Sequence, residues 1–245
     1  MPFEPTDSDA VSVLAIRGIG EVQPGDDLAE LLVAALGGAQ GFELRDGDVV
    51  VVTQKVVSKA EGRLVEIDAD DPSAKAALVE SEAVRILRRR GELVITETKH
   101  GFICANAGVD LSNVASGQAA LLPIDSDRSA RAIAAGLGHR LGVQVGVIIS
   151  DTFGRTWRRG VTDVAIGCAG VAAVVDLRGT QDASGRELQA TEVCVADELA
   201  SAAELVMGKD RSVPAAVVRG VPGSWLRPSS VVDEIIRPPA EDLFR

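Results

Sequence analysis

Val49, Val50, Val51 and Val52 stand in an unbroken row, and this run constrains the fold of the chain more than any other feature. Valine is stiff at χ1 and favours extended backbone, while successive side chains of a strand point to opposite faces. A run without polar alternation therefore predicts a strand over 48–53 that is covered on both sides and central in its sheet. Further short β-branched runs predict strands at 11–16, 93–97, 142–150, 170–176 and 214–219. Segments rich in Ala and Leu at helical spacing predict helices at 27–36, 73–90, 126–141 and 196–207. Their ends carry the usual punctuation, with Asp26 before the first, Asp71-Pro72 and Gly91 around the second, and Gly208 after the last. In the third, Ala130, Ile133, Ala134 and Leu137 recur at i, i+3, i+4 and i+7, so one face packs while Arg128, Arg131 and Arg140 face water. Several strands are separated by loops too short for a crossover helix. The prediction is a mixed α+β fold of largely antiparallel sheets with flanking helices, and 245 residues leave room for two interleaved subdomains.

Composition removes several functional classes. With 25 basic and 36 acidic side chains the net charge is −11, so most of the surface repels a phosphate backbone and general nucleic-acid binding is excluded. Aromatic residues make up 3% and tyrosine is absent, which leaves small ligands to be held by polar contacts instead of stacking. Cys104, Cys168 and Cys194 are odd in number and far apart, as reduced thiols in a cytoplasmic protein would be. There is no CxxC pair, and His100 and His139 are the only histidines, so zinc is unsupported. An acidic amino terminus and apolar runs no longer than a strand predict a soluble cytoplasmic protein without a signal peptide or membrane span. Residues 1–236 read as one functional domain, and 237–245, with Pro238-Pro239, as a linker toward a further domain.

The common nucleotide and hydrolase signatures fail. Gly208-Lys209 lacks the upstream glycine of a P-loop, Gly18-Ile19-Gly20 lacks the third glycine of a dinucleotide turn, and there is neither a G-x-S-x-G nor an H-E-x-x-H. Lysine is scarce, five against twenty arginines, yet Lys55 and Lys59 both follow the valine strand directly. The carboxyl end of a strand is where open α/β sheets bind ligands, so these ammonium groups are placed to meet phosphates, against the plainer reading of solvated lysines. A second cluster, Asn106 to Asn113, presents Asp110, Ser112 and two carboxamides, oxygen donors suited to Mg²⁺ or Mn²⁺ or to an ordinary Asx turn. A third, Ser150 to Gly160, places Asp151 and Thr152 after an apolar run and then Arg155, Arg158 and Arg159. That pattern suits a metal beside cations that neutralise phosphoryl oxygens, or a capped turn with surface ion pairs. His100, His139, Glu192, Asp197 and Glu198 read as polar surface or helix-start residues, and Cys104 and Cys194 as small core residues.

Taken together and in order, TQKVVSKAEGR (53–63), NAGVDLSNV (106–114), DTFGRTWRRG (151–160), GRELQATEVCVADELA (185–200) and MGK (207–209) with VPAAVVRG (213–220) resemble the coenzyme F420-0:γ-glutamyl ligase family over about 11–221. The likeness is greatest to the amino-terminal half of the actinobacterial bifunctional form, which continues into a flavin-binding, nitroreductase-like domain. The resemblance implies a homodimeric ligase that uses GTP and two divalent ions, Mg²⁺ or Mn²⁺. It implies addition of L-glutamate to the carboxylate of F420-0 through an acyl phosphate, followed by a γ-linked tail. Carried over by position, Asp110, Asp151 and Thr152 are metal ligands, and Gln54, Lys59 and Asn113 contact nucleotide. Ile19-Gly20-Glu21-Val22 and Met207-Gly208-Lys209-Asp210 match nucleotide loops. Lys55, Lys59 and Arg155 then absorb developing phosphoryl charge. Archaeal-type members carry Glu where Lys209 stands, as a second-ion ligand; a protonated lysine cannot ligate, so either Asp210 substitutes or fewer protein groups hold that ion. Two rival readings use the same residues: a metal-dependent phosphohydrolase with water as nucleophile, and a non-catalytic nucleotide-binding scaffold.

Overall fold

The computed structural model describes residues 10–38, 41–68, 71–112 and 117–244. Strand β1 (Ser12–Ile16) leads to helix α1 (Leu28–Leu36), whose Asp27 cap accepts from the N–H groups of Ala29 and Glu30. Strand β2 (Val49–Thr53) runs straight into helix α2 (Gln54–Ala60). A smaller lobe follows, made of β3 (Leu64–Glu66), α3 (Pro72–Glu82), β4 (Ala83–Arg90), β5 (Leu93–Thr98), β6 (Ile103–Ala105) and β7 (Gln118–Ala120). The chain then forms α4 (Ser126–Leu141), a long hairpin of β8 (Gly146–Arg155) and β9 (Arg158–Ala169), and the short β10 (Val175–Asp176) and β11 (Glu192–Val193). Helix α5 (Val195–Met207), strand β12 (Ala215–Arg219) and helix α6 (Val231–Glu234) complete it.

The main sheet has the order β1-β12-β2-β8-β9, with β2 in the middle as the valine run requires. Val49, Val50 and Val51 are fully buried and Val52 is 1% exposed, so both faces of this strand are covered. Helix α5 touches all five strands, while α4 lies against β8, β9 and α1. Every pairing in the sheet is antiparallel except β2 with β8. The lobe has its own small core of Val79, Val94, Ala107, Val109, Ala119 and Leu121. It is inserted into the larger body between α2 and α4 and carries the antiparallel sheets β4-β5-β6 and β3-β7. The α+β class with mostly antiparallel sheets is therefore as the sequence predicts.

Three elements differ from the prediction. The helix expected over 73–90 ends at Glu82; Ala83 turns extended at φ −91° and ψ 140°, and residues 83–90 pair with β5, where β-branched Val84 and Ile86 suit a strand. The strand expected over 142–150 begins at Gly146, because Gly142 is the left-handed cap of α4 at φ 71°. In place of a strand over 170–176 there is only β10, and the long partner of β8 is β9, whose outer half is exposed and polar and so lacks an apolar signal.

The lower ends of β2 and β12 are tied by a buried charge pair. Arg219 donates from Nε to Asp48 Oδ1 at 2.8 Å and from Nη2 to Asp48 Oδ2 at 2.7 Å, and Asp48 is 1% exposed. Removing one partner leaves the other charge buried and uncompensated. Arg219→Ala is expected to lower unfolding free energy by about 3–5 kcal/mol, while Asp48→Asn with Arg219→Met recovers part of the loss. Urea denaturation checks this, and a change below about 1 kcal/mol in the single variant contradicts it.

Candidate functional site

The parallel pairing of β2 with β8 sets Thr53 opposite Ser150, so two strands deliver their carboxyl ends side by side. The next residues, Gln54 and Lys55 on one chain segment and Asp151 and Thr152 on the other, enter one cleft of about 520 Å³. Ile19, Gly20, Glu21 and Val22 after β1, and Gly208, Lys209 and Asp210 after α5, form further parts of its wall. Two anticipated nucleotide loops and the acid-hydroxyl pair of β8 thus line the same cavity.

Local geometry aims these side chains. The β8–β9 ladder shifts register between Ile149 and Ser150, the kind of bulge that re-aims side chains at a sheet's rim. Beyond it Thr152 faces Asp163 directly, donating from Oγ1 to Asp163 Oδ1 at 2.7 Å, and Ser150 Oγ donates to Asp163 Oδ2 at 3.0 Å. Helix α5 ends at Gly208, whose φ of 65° turns the chain back so that Lys209 reaches over the helix end. Its ammonium donates to Thr152 Oγ1 and to Asp163 Oδ1, the latter at 3.0 Å, and lies 3.4 Å from Glu204 Oε1. On the other side, Lys55 Nζ pairs with Asp110 Oδ2 at 2.9 Å and donates to Ser112 Oγ at 2.7 Å. Lys59 pairs with Glu21 at 2.5 Å. Gln54 is 1% exposed; its Nε2 donates to Ser58 Oγ and the carbonyl of Leu121, and its Oε1 has no partner among the described residues.

The charges in the cleft are unevenly matched. Burial, with repulsion from Asp110 and Asp163, pushes the Asp151 carboxyl up to about 6, and the single hydrogen bond it accepts among the described residues is from the N–H of Thr152 at 2.8 Å. The side chain keeps partial access to the cleft while protein surrounds the rest of it. For Asp110 burial acts upward, but the Lys55 ammonium and the Ser112 N–H outweigh it and hold the carboxyl below its ordinary value. Glu204 is raised by burial and by Asp163. At Lys209 burial opposes the charge, yet Asp163 and Glu204 overcome it and raise the ammonium's pKa. Burial pushes the thiols of Cys104, Cys168 and Cys194 up to about 12, which disfavours the reactive thiolate; Cys104 and Cys168 are buried, whereas Cys194, expected in the core, is half-buried. Among the described residues no three His, Cys, Asp or Glu side chains form a ready metal cage.

Most of the anticipated residues meet here, with exceptions. Met207 is fully buried in the main core and does not line the cleft, because it lies on the packed face of α5 with Ala200 and Ala203. Arg155 sits at the exposed end of the β8–β9 hairpin, where it donates to the carbonyl of Arg159 at 2.8 Å, so the structure does not bring it to the lysines. Asp110 reaches the cleft through Lys55 instead of lining it. Asn113 lies outside the described residues. Asp163 and Glu204 were missed. Their signals were a carboxylate inside the apolar β run Val161 to Ala169, and a glutamate four residues after Ala200 on the packed helical spacing.

Fold and site define a class: an α+β protein with a carboxylate- and lysine-lined ligand cleft at the ends of two parallel strands. The sequence pattern of the F420-0:Gamma-glutamyl ligase family matches residues 18–220. The chain is 42% identical to the coenzyme F420:L-glutamate ligase of Methanothermobacter thermautotrophicus, over 96% of this chain and 99% of that protein. It is 45% identical to the enzyme of that name from Methanopyrus kandleri, over 92% and 94%. For the one from Archaeoglobus fulgidus the identity is 39%, over 96% of each. This chain belongs to the F420-0:γ-glutamyl ligase family. The flavin domain anticipated beyond 237 has no counterpart in these relatives, whose length the chain covers almost completely.

The raised Asp151 carboxyl has a signed consequence. A carboxyl raised in the fold favours the protonated state, so its contribution to stability is full below about pH 4 and is lost as pH rises through about 6. With divalent ions removed, Asp151→Asn is expected to be more stable than the parent at pH 7.5 by roughly 1–2 kcal/mol, since one pKa unit is about 1.4 kcal/mol and cleft water screens part of it. The difference should vanish near pH 3.5; thermal melts across this range check it, and a less stable variant at pH 7.5 contradicts it.

Proposed function

We propose that this chain joins the carboxylate of coenzyme F420-0 to the amine of L-glutamate and extends the product by γ-linked additions, with GTP as the activating substrate and Mg²⁺ or Mn²⁺ as cofactor. The observation that carries the reading is the meeting of Lys55, Lys59, Lys209 and the unbalanced Asp151 in one cleft within the family-matched segment. A carboxylate does not react with an amine at useful rates because oxide is a poor leaving group. In the proposed reaction a carboxylate oxygen of F420-0 attacks the γ-phosphorus and GDP leaves. The nitrogen of glutamate then attacks the acyl carbon, inorganic phosphate leaves, and the amine gives up a proton.

The chain's own groups position and shield these anions. The Lys55 and Lys59 ammonium groups, each anchored by a carboxylate, present positive charge at the end of β2 without needing to reorganise. Gln54 lines the same cleft, and turning its buried Oε1, partnerless among the described residues, outward would offer an acceptor to a nucleotide donor. A divalent ion fits at Asp151, a partly buried anion without a salt-bridge partner among the described residues, while Asp110 beside the cleft is already held by Lys55. Bound there, the ion would supply charge neutralisation at phosphoryl oxygens. Arg155 is left out of this mechanism, because its guanidinium is engaged at the hairpin end.

Mass spectrometry of F420-0 incubated with the protein, GTP, Mn²⁺ and L-glutamate tests the reading. The expected result is the mass gain of one or more glutamyl units, with GDP formation dependent on F420-0, and a loss of at least about 100-fold in Asp151→Asn. GDP release without mass gain and independent of the acceptor would favour the phosphohydrolase instead.

A further inference from the structure

A cation is already built into the wall opposite Lys55. Lys209 Nζ sits among three oxygens of cleft-lining residues on that wall: Thr152 Oγ1, Asp163 Oδ1 and Glu204 Oε1. Asp163 is 1% exposed, and both its carboxylate oxygens are occupied, one by Thr152 and Lys209 and the other by Ser150. Glu204 has the same ammonium as its counter-ion. An ammonium has three donors and no lone pair, so it neutralises these groups without ligating anything and repels a second cation brought to the same oxygens. The positive-φ turn at Gly208 carries Lys209 into this position, where its side chain is half exposed and its ammonium contacts the buried Asp163. The two divalent ions implied by the family resemblance therefore do not both fit the residues present.

We propose that the Lys209 ammonium is a tethered cation that takes the place of one divalent ion, so that each chain binds a single Mg²⁺ or Mn²⁺, at Asp151, with Asp110 already paired to Lys55. The inference rests on the ligase reading only for the presence of that one ion. Asp163, Glu204 and Thr152 are positioning groups for the lysine.

Titration of the full chain with Mn²⁺ in the presence of GDP, followed by electron paramagnetic resonance, reads both the number of ions bound and whether two lie close enough to couple. The parent is expected to bind one Mn²⁺ per chain with an uncoupled spectrum. Lys209→Glu releases Asp163 and Glu204 and adds a carboxylate, and is expected to bind two coupled ions. Lys209→Gln, which removes the charge with little change of bulk, guards against a folding failure of the first variant and is expected to admit a second ion at higher Mn²⁺ concentration. No ion, or two coupled ions, in the parent overturns the proposal, as does an unchanged count of one in both variants. Counting metal needs no F420-0, so the two readings fail separately. One bound ion without glutamyl transfer refutes the ligase reading alone, and two coupled ions with intact transfer refute the tethered cation alone.

Discussion

The parallel pairing of β2 with β8 is the constraint on which the cleft depends. In an antiparallel pair the two strands deliver their chemistry to opposite edges, whereas a parallel pair brings both carboxyl ends to the same edge. It is the one parallel pairing of the described main sheet, and it sets Thr53 beside Ser150. All the residues that follow, Gln54 and Lys55 on one side and Asp151 and Thr152 on the other, owe their proximity to it. The valine run makes the pairing rigid: Val49 to Val52 oppose Gly146, Val147, Ile148 and Ile149, and nearly all of these are inaccessible to water.

That rigid edge carries a charge arrangement that a mobile loop would not hold. Asp110, Asp151, Asp163 and Glu204 put four carboxylates in or beside the cleft, and Lys55 and Lys209 each bind part of that set. Asp163 and Glu204 share Lys209, Asp110 has Lys55, and Asp151 alone has no ammonium of its own among the described contacts. Asp151 is thus the carboxylate at which the proposed ion would find an uncompensated charge, and Asp163 one whose oxygens are already taken. A surface with net charge −11 would otherwise repel anionic substrates, so lysines fixed at the strand ends give those substrates a local field of the opposite sign.

Much of this was legible in the chain itself. The valine run predicted a central, doubly covered strand, and the scarcity of lysine pointed to its carboxyl end. Helix 126–141 was read from its apolar spacing. The parts that were missed share a physical cause. Strand β9 is polar and exposed over its outer half, so periodicity could not reveal it; without it neither the register of Thr152 against Asp163 nor the distant placement of Arg155 could be foreseen. Residues 83–90 have helical company upstream and arginines at 85, 88, 89 and 90, and only pairing with β5 makes them a strand. Met207 followed a motif into a proposed loop although its helical spacing marks it as core. The lysine cage around Asp163 and Glu204 depends on tertiary contacts between β8, β9 and α5, which no local pattern encodes.

The central claim is that Asp151, the one carboxylate of the set without an ammonium among the described contacts, holds a cation at the end of β8. Anomalous diffraction at the manganese edge, from crystals of the full chain grown with Mn²⁺ and GDP, tests it most directly. The account predicts a strong peak ligated by Asp151 and by phosphate oxygen at the end of β8. A structure with GDP in the cleft and no manganese touching Asp151 would contradict it.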